Sequence, residues 1–309
     1  PKQLTGSAAL KNNLITMEMA KRIIPRYKKD THKGIRGHVL VIGGSTGMNG
    51  APLMAGLGAL KAGAGLVTLG IPASIYPLVA GHTPELMAIC LPAGKNGAIM
   101  RESLDILLPL LPKFDVIVIG PGLSRAEEAE DFLYSFWQAN TLPLVIDADA
   151  LNIIAGKSEQ FFSTPKDFPV ILTPHPGEFS RLSGYSIEEI QGNRVALSRK
   201  MSCQWKVIVV LKGAGTVIAL PDGTVYINPT GNAGMASAGM GDVLAGVIGS
   251  LIAQGVEAGS AAAVGCYLHG YAGDLAAHDV GEIGILASEV WSRLPQARKA
   301  VENYAGFGE

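Results

Sequence analysis

Short continuous apolar runs, each ended by glycine, proline or a polar cluster, alternate along this chain with stretches of helical spacing. HVLVIGG (38–44) reads as a buried strand ending in glycines, and 50–63 as a helix of small residues. GLVTLGI (65–71) and LMAICL (86–91) read as further strands. A helix is expected over 104–111, ended by Pro112. DVIVIGPG (115–122) is a strand of β-branched residues, followed by a helix over 127–139. PLVIDADALN (143–152) runs from a strand into a helix start, and PVILTPHPGEFSRL (169–182) repeats that plan before a helix over 187–201. Strands that are apolar on both faces and alternate with helices predict an α/β fold with a central, mostly parallel sheet and helices on both faces. At KVIVVLKGAGTVIALPDGTVYINP (206–229) the pattern changes to three strand-like runs with tight turns, one of them Pro-Asp-Gly. A strand followed by an antiparallel hairpin at one edge of the sheet is expected there. The last third is helical and rich in alanine and glycine. Residues 1–37 are more polar and hold the basic run RYKKDTHKGIRG; they read as an N-terminal extension, a lead-in helix and loop clasping one large domain over 38–309.

Composition narrows the class. A chain of 309 residues can bury a sizeable core, and a formal net charge of −1 gives no basic field for nucleic acid or a membrane surface. The 39 glycines lie between apolar runs, so they read as tight turns and close backbone approaches. Cys90, Cys203 and Cys266 are odd in number and widely spaced, which fits reduced, buried thiols in a cytoplasmic protein. No apolar stretch reaches membrane-spanning length and no secretory signal opens the chain. The first residue is proline rather than methionine, which reads as processing or a fragment.

Ligands of open α/β sheets bind beyond the carboxyl ends of the strands. Four such ends are unusual here: GGSTGMNGA (43–51), GPGLSR (120–125), DADALN (147–152) and TPHPGE (173–178). Four polar or glycine-rich ends on one edge point to a shared cleft, whereas one alone would only mark the stop of a strand. Neither GxxxxGK[ST] nor a strict GxGxxG occurs, so phosphate must be held another way. AGMGD offers it: Gly239 and Gly241 expose backbone N–H groups at a helix N-terminus, an anion hole in the field of the helix dipole. Asp242 follows directly. An aspartate in a first helical turn is usually a cap, but beside an anion hole its charge repels the ligand. A base that takes a proton from an attacking hydroxyl resolves that conflict. Asp147 and Asp149 lie in a strand-to-helix turn, where one is expected to cap and Asn152 to face the cleft; His269 and His278 lie in a helical pattern and read as core or surface residues.

GPGL, DADALN, TPHPGEF, LKGAGTVI and NPTGNAGMASAGMGD, in order from about residue 32 to 278, resemble the ADP- or ATP-dependent NAD(P)H-hydrate dehydratases of the ribokinase-like superfamily. The resemblance implies phosphorylation of the ring hydroxyl of hydrated NADH or NADPH (the 6S epimer) by ADP or ATP, then loss of phosphate to restore the cofactor. It implies Asp242 as the catalytic acid-base residue, itself in contact with the hydrated dinucleotide. It places Ala51, Gly122 and His175 on the hydrated dinucleotide, and Gly241 with Lys212, Gly213, Ala214, Gly215 and Thr216 on the adenine nucleotide. Glu178 occupies the acid position of the Asn-x-x-Glu motif that organises Mg²⁺ in related kinases, while His175 replaces the Asn, so Glu178 is expected to serve the metal indirectly. A cytoplasmic homo-oligomer, commonly a tetramer, and an NAD(P)H-hydrate epimerase domain or protein as partner are also implied. Residues 1–37 are too short for that domain, and nucleic acid and membrane are not expected partners. Two alternatives stand beside this reading. A vitamin or sugar kinase of the same fold is disfavoured by HxxE, and a non-catalytic nucleotide-binding module by an intact GMGD.

Overall fold

The computed structural model describes residues 11–163 and 165–305. Ten strands, numbered in chain order, are β1 Asn12–Leu14, β2 His38–Ile42, β3 Leu66–Pro72, β4 Met87–Leu91, β5 Val116–Ile119, β6 Leu144–Ile146, β7 Val170–Leu172, β8 Ile208–Leu211, β9 Val217–Ala219 and β10 Val225–Ile227. They form one sheet in the order β1-β10-β9-β8-β7-β6-β5-β2-β3-β4. From β4 to β8 every neighbouring pair is parallel, while β8–β9 and β9–β10 are antiparallel. The antiparallel hairpin near one edge is therefore present, and β1 adds beyond it, parallel to β10. Chain order runs outward from β2 to β3 and β4 on one side and from β5 to β8 on the other, so the carboxyl ends of β2 and β5 flank the switch point where such sheets bind ligands.

Side chains alternate across each strand and build two cores. Val39, Val41, Val67 and Leu69 face the helices Gly50–Ala62, Met240–Ala253, Ala258–Val280 and Ala287–Glu302. Leu40, Ile42, Ile117 and Ile119 face Glu127–Ala139, Ala148–Ala155, Pro176–Ser183 and Arg194–Trp205. The glycines let two of these helices touch backbone to backbone. A Cβ on Gly246 would overlap the Ala55 carbonyl oxygen, and one on Gly58 would lie 2.6 Å from the Val243 carbonyl oxygen. The Gly50–Ala62 helix, which follows β2, is thereby fixed against the helix that starts with GMGD.

Three expected elements differ. The 104–111 helix is a short α-helix, Ser103–Leu107, continued by a 3-10 stretch, Leu108–Lys113. Pro109 and Pro112 each lack the N–H an α-helix needs there. The 187–201 helix is two, Ile187–Gly192 and Arg194–Trp205, broken where Asn193 leaves helical geometry (φ −137°, ψ 35°). Within 11–37 the expected lead-in helix is Met17–Ile23, with Ile15, Ala20 and Ile24 buried, but β1 was not expected. Its asparagines carry no strand pattern; pairing with β10, more than two hundred residues away, creates it. Among the described residues no helix is long and apolar enough to cross a membrane.

Candidate active site

The β5 end turns sharply, with Gly120 at φ 120° and Gly122 at φ 65°. A Cβ on Gly122 would lie 3.0 Å from the Met48 Cβ and 3.1 Å from the Ala51 Cβ, so Ala51 and Gly122 meet across the mouth of the switch point. The Ser45 hydroxyl donates to the Gly122 carbonyl at 2.9 Å and ties the two strand ends together.

The ends of β6, β7 and β8 build a charge cluster. Asp147 is buried (1% exposed) and its Oδ1 accepts from Lys212 Nζ at 2.6 Å. The same ammonium lies 3.9 Å from Glu178 Oε2, and the Lys212 backbone N–H donates to the Pro174 carbonyl at 2.9 Å. Asp147 stands at the N-cap position of Ala148–Ala155 but its side chain makes no capping bond. Its carboxylate is spent on Lys212 instead. Asp149 accepts from the Ser124 N–H at 3.0 Å, so neither aspartate caps its helix through its side chain.

His175 is the cap that the sequence did not show. Its Nδ1 accepts from the N–H groups of Gly177 (3.0 Å) and Glu178 (3.3 Å), and Glu178 Oε2 accepts from the His175 N–H at 2.8 Å, a reciprocal capping box. An accepting Nδ1 leaves the proton of the neutral ring on Nε2, 3.4 Å from Glu178 Oε1. Burial, Lys212 and Arg181 hold the His175 pKa below the usual value, so the ring is neutral at pH 7. Its side chain is 52% exposed, leaving room for a ligand beside Nε2.

Gly239 begins the Met240–Ala253 helix in the left-handed region (φ 86°) and makes no side-chain cap. Asp242 stands in the first turn, and among the described residues its carboxylate accepts no hydrogen bond. Burial, then Asp147, with smaller pushes from Asp149 and Glu178, raise its pKa to about 7 against the opposing pull of Lys212. Glu178 rises to about 7 as well, by burial first and against Lys212. A Cβ on Gly241 would stand 3.0 Å from Lys212 Nζ and 3.4 Å from Asp147 Oδ2. The bare backbone of the proposed anion hole therefore lies against a fixed ammonium. Buried carboxylates around one cation, beside the first-turn N–H groups of a helix, suit binding and moving a phosphoryl group.

The 212–216 loop runs from this cluster to the surface, with Gly213, Ala214 and Gly215 exposed and the Thr216 hydroxyl bonded to the Gly213 carbonyl at 2.9 Å. Arg194 supports it from below, donating to the carbonyls of Leu211 (2.9 Å) and Lys212 (3.2 Å). Sequence reasoning missed Arg194 and Arg181, since an arginine in a polar helix face carries no signal of its partner. Asn152 accepts from Arg181 Nε at 2.9 Å. His269 is buried behind the GMGD turn, and His278 is exposed beside Asp279. Among the described residues no three His, Cys, Asp or Glu side chains converge as a metal cage. Glu178 already faces the His175 N–H and Lys212, so the residues present fit a hard divalent cation held mainly by phosphate and water, not one held by protein ligands alone.

Such a fold, with an acid at a glycine-opened helix N-terminus over the sheet's switch point, defines a ribokinase-like protein. Within that class the chain belongs to the NAD(P)H-hydrate dehydratase family, whose model matches residues 39–296. It is 44% identical over 302 residues to the bifunctional NAD(P)H-hydrate repair enzyme Nnr of Moorella thermoacetica, covering 98% of this chain and 57% of that protein. The chain thus spans about half the length of the bifunctional relatives it matches. It is 40% identical to the ADP-dependent (S)-NAD(P)H-hydrate dehydratase of Neisseria meningitidis, covering 85% of each. The crystal structure of the ADP/ATP-dependent NAD(P)H-hydrate dehydratase from Bacillus subtilis, co-crystallized with ATP/Mg²⁺, superposes with a TM-score of 0.80 at 31% identity, covering 94% of this chain and 99% of that one.

Proposed function

We propose that this chain dehydrates hydrated NADH or NADPH at the expense of ADP or ATP. The observation that carries the reading is Asp242: a half-buried carboxylate without a hydrogen-bond partner among the described residues, its pKa raised to about 7, at the glycine-opened start of a helix. In the first step the ring hydroxyl oxygen attacks the terminal phosphorus of the nucleotide. The new O–P bond forms as the bridging O–P bond breaks, releasing AMP from ADP or ADP from ATP. Asp242 takes the hydroxyl proton, for which a pKa near 7 is well matched. Lys212 and the N–H groups around Gly239 and Gly241 face the charge in transit. In the second step the carbon–oxygen bond breaks, phosphate leaves with the electron pair, and loss of a proton from the adjacent ring carbon restores the double bond. Phosphorylation is needed because hydroxide is a poor leaving group and phosphate a good one. Ala51, Gly122 and His175 hold the dinucleotide, and the 212–216 loop holds the nucleotide. Glu178, through its contacts with His175 and Lys212, keeps the phosphate side in order. Mg²⁺ bound with the nucleotide supplies charge neutralisation to its phosphates.

The same reading makes the protein a homo-oligomeric, cytoplasmic repair enzyme that works beside an NAD(P)H-hydrate epimerase. The names of bifunctional relatives support a fused or separate epimerase partner, and the free cysteines support a reducing compartment, although only Cys266 is buried as expected, Cys203 being half-buried and Cys90 exposed. The test is to incubate the protein with hydrated NADH, Mg²⁺ and either nucleotide and to follow NADH absorbance and AMP or ADP release. Recovery of NADH with stoichiometric nucleotide cleavage is expected; no recovery with either nucleotide refutes the proposal.

A further inference from the structure

We propose that Arg181, clamped by Asn152, is the contact for a phosphate of the dinucleotide substrate. The inference rests on the dehydratase reading and adds to it a binding residue. Arg181 lies in the last turn of Pro176–Ser183, four residues after Gly177. Helical side chains lean back toward the N-terminus, which here is the carboxyl edge of the sheet. Its Nη1 accordingly sits 3.8 Å from where a Cβ on Gly177 would be, beside the His175 cap. Its charge reaches both His175 and Glu178, lowering the pKa of each.

A free surface arginine samples many rotamers; this one has a hydrogen-bonded anchor. Its Nε donates to Asn152 Oδ1 at 2.9 Å, and the Asn152 amide is itself oriented by donating from Nδ2 to the Ala148 carbonyl at 3.2 Å. The bond uses the Nε–H only. Among the described residues Nη1 and Nη2 have no partner, and no carboxylate pairs with the exposed guanidinium. A guanidinium held by Nε with its fork open is shaped for two parallel bonds to a phosphate.

The neighbours say which ligand. Asn152 shares its helix with Asp149, three residues earlier, and Asp149 accepts from the Ser124 N–H just after Gly122. Two hydrogen bonds and the Ala148–Ala155 helix between them therefore link Ser124, two residues after Gly122, to Arg181 beside His175. The nucleotide loop 212–216 has its own arginine, Arg194. A dinucleotide offers two anionic groups, the pyrophosphate present in NADH and NADPH alike and the 2′-phosphate present only in NADPH.

The test compares wild type with Arg181→Gln and Asn152→Ala, using hydrated NADH and hydrated NADPH as separate substrates. Losing charge-assisted bonds to phosphate is expected to raise the dinucleotide KM about 10- to 100-fold in Arg181→Gln. Asn152→Ala should do so by a smaller factor, and the nucleotide KM should stay in place for both. An equal rise with both substrates assigns the pyrophosphate; a rise confined to hydrated NADPH assigns the 2′-phosphate. An unchanged dinucleotide KM, or a rise in the nucleotide KM instead, overturns the inference while leaving the dehydratase reading intact. Failure of wild type to restore NADH refutes that reading alone. Calorimetric binding of NADPH to wild type and Arg181→Gln then still decides the role of Arg181, equal affinities rejecting it. Far-ultraviolet circular dichroism of each variant controls for folding.

Discussion

A carboxylate with a pKa near 7 is half ionised at neutral pH, and Asp242 and Glu178 are both such groups around one ammonium. If Asp242 is the base, turnover requires its ionised form. The rate should then fall with pH below about 7, approaching tenfold per pH unit, in a kcat/KM profile. Asp242→Asn should lose turnover by about 10²- to 10⁴-fold while still binding nucleotide, measured by calorimetry. The same variant has a stability signature. Burial favours the protonated acid in the fold, so its stabilising preference is complete below the usual carboxylate pKa and is lost as pH rises to about 7. Asp242→Asn should therefore melt higher than wild type at pH 8, by about 1–3 kcal/mol of stability, and alike near pH 4. Lys212→Met makes the opposite case. It leaves Asp147 buried without its cation and is expected to destabilise the fold by about 3 kcal/mol in urea unfolding. Asp242 was readable in the sequence because its neighbours are glycines. Its environment was not, because Lys212 and Asp147 are 65 residues apart.

Among elements, the capping box of Pro176–Ser183 separates two roles of His175. Asparagine is a strong N-cap, so His175→Asn should keep the stability of the helix, whereas His175→Ala should cost about 1 kcal/mol. Both remove the ring and its Nε2–H, so both should weaken dinucleotide binding if that group contacts substrate, as a KM series would show. TPHPGE marked the position as special but could not tell a cap from a ligand, since both require a polar side chain at a strand end. The crossing of Gly50–Ala62 and Met240–Ala253 was only half readable. Small residues announced a close approach, and the structure identified the partner. Gly246→Val should destabilise by about 3 kcal/mol or more, because its Cβ runs into backbone rather than a side chain that can turn away. Activity should fall with it, since this crossing fixes the helix whose first turn carries Asp242.

The pH response of the whole molecule sums opposing groups. His269 is buried behind the GMGD turn, its Nε2 without a partner among the described residues, and burial lowers its pKa to about 4. The fold holds it neutral, so its contribution is present above the usual histidine value and is lost as pH falls from about 6.5 toward 4, up to about 3 kcal/mol. Asp242 and Glu178 act in the other direction over an overlapping range. Comparing His269→Gln with wild type isolates the histidine: the gap in unfolding free energy should shift in favour of the variant by up to about 3 kcal/mol between pH 7 and pH 4.

Local pattern was enough to establish the parallel sheet, its helical layers, the hairpin and the acid at the end of AGMGD, because burial on both faces and glycine at tight turns leave marks in adjacent residues. Where the chain broke regular spacing the reading was weaker, as at Asn193 and the prolines of 108–113. Tertiary structure alone decided the pairing of β1, the Lys212–Asp147 pair, the Asn152–Arg181 clamp and the raised pKa of Asp242. Each depends on groups distant in the chain that meet only when parallel strands bring their carboxyl ends to one edge. Electrostatic character belongs to that meeting and not to any residue by itself.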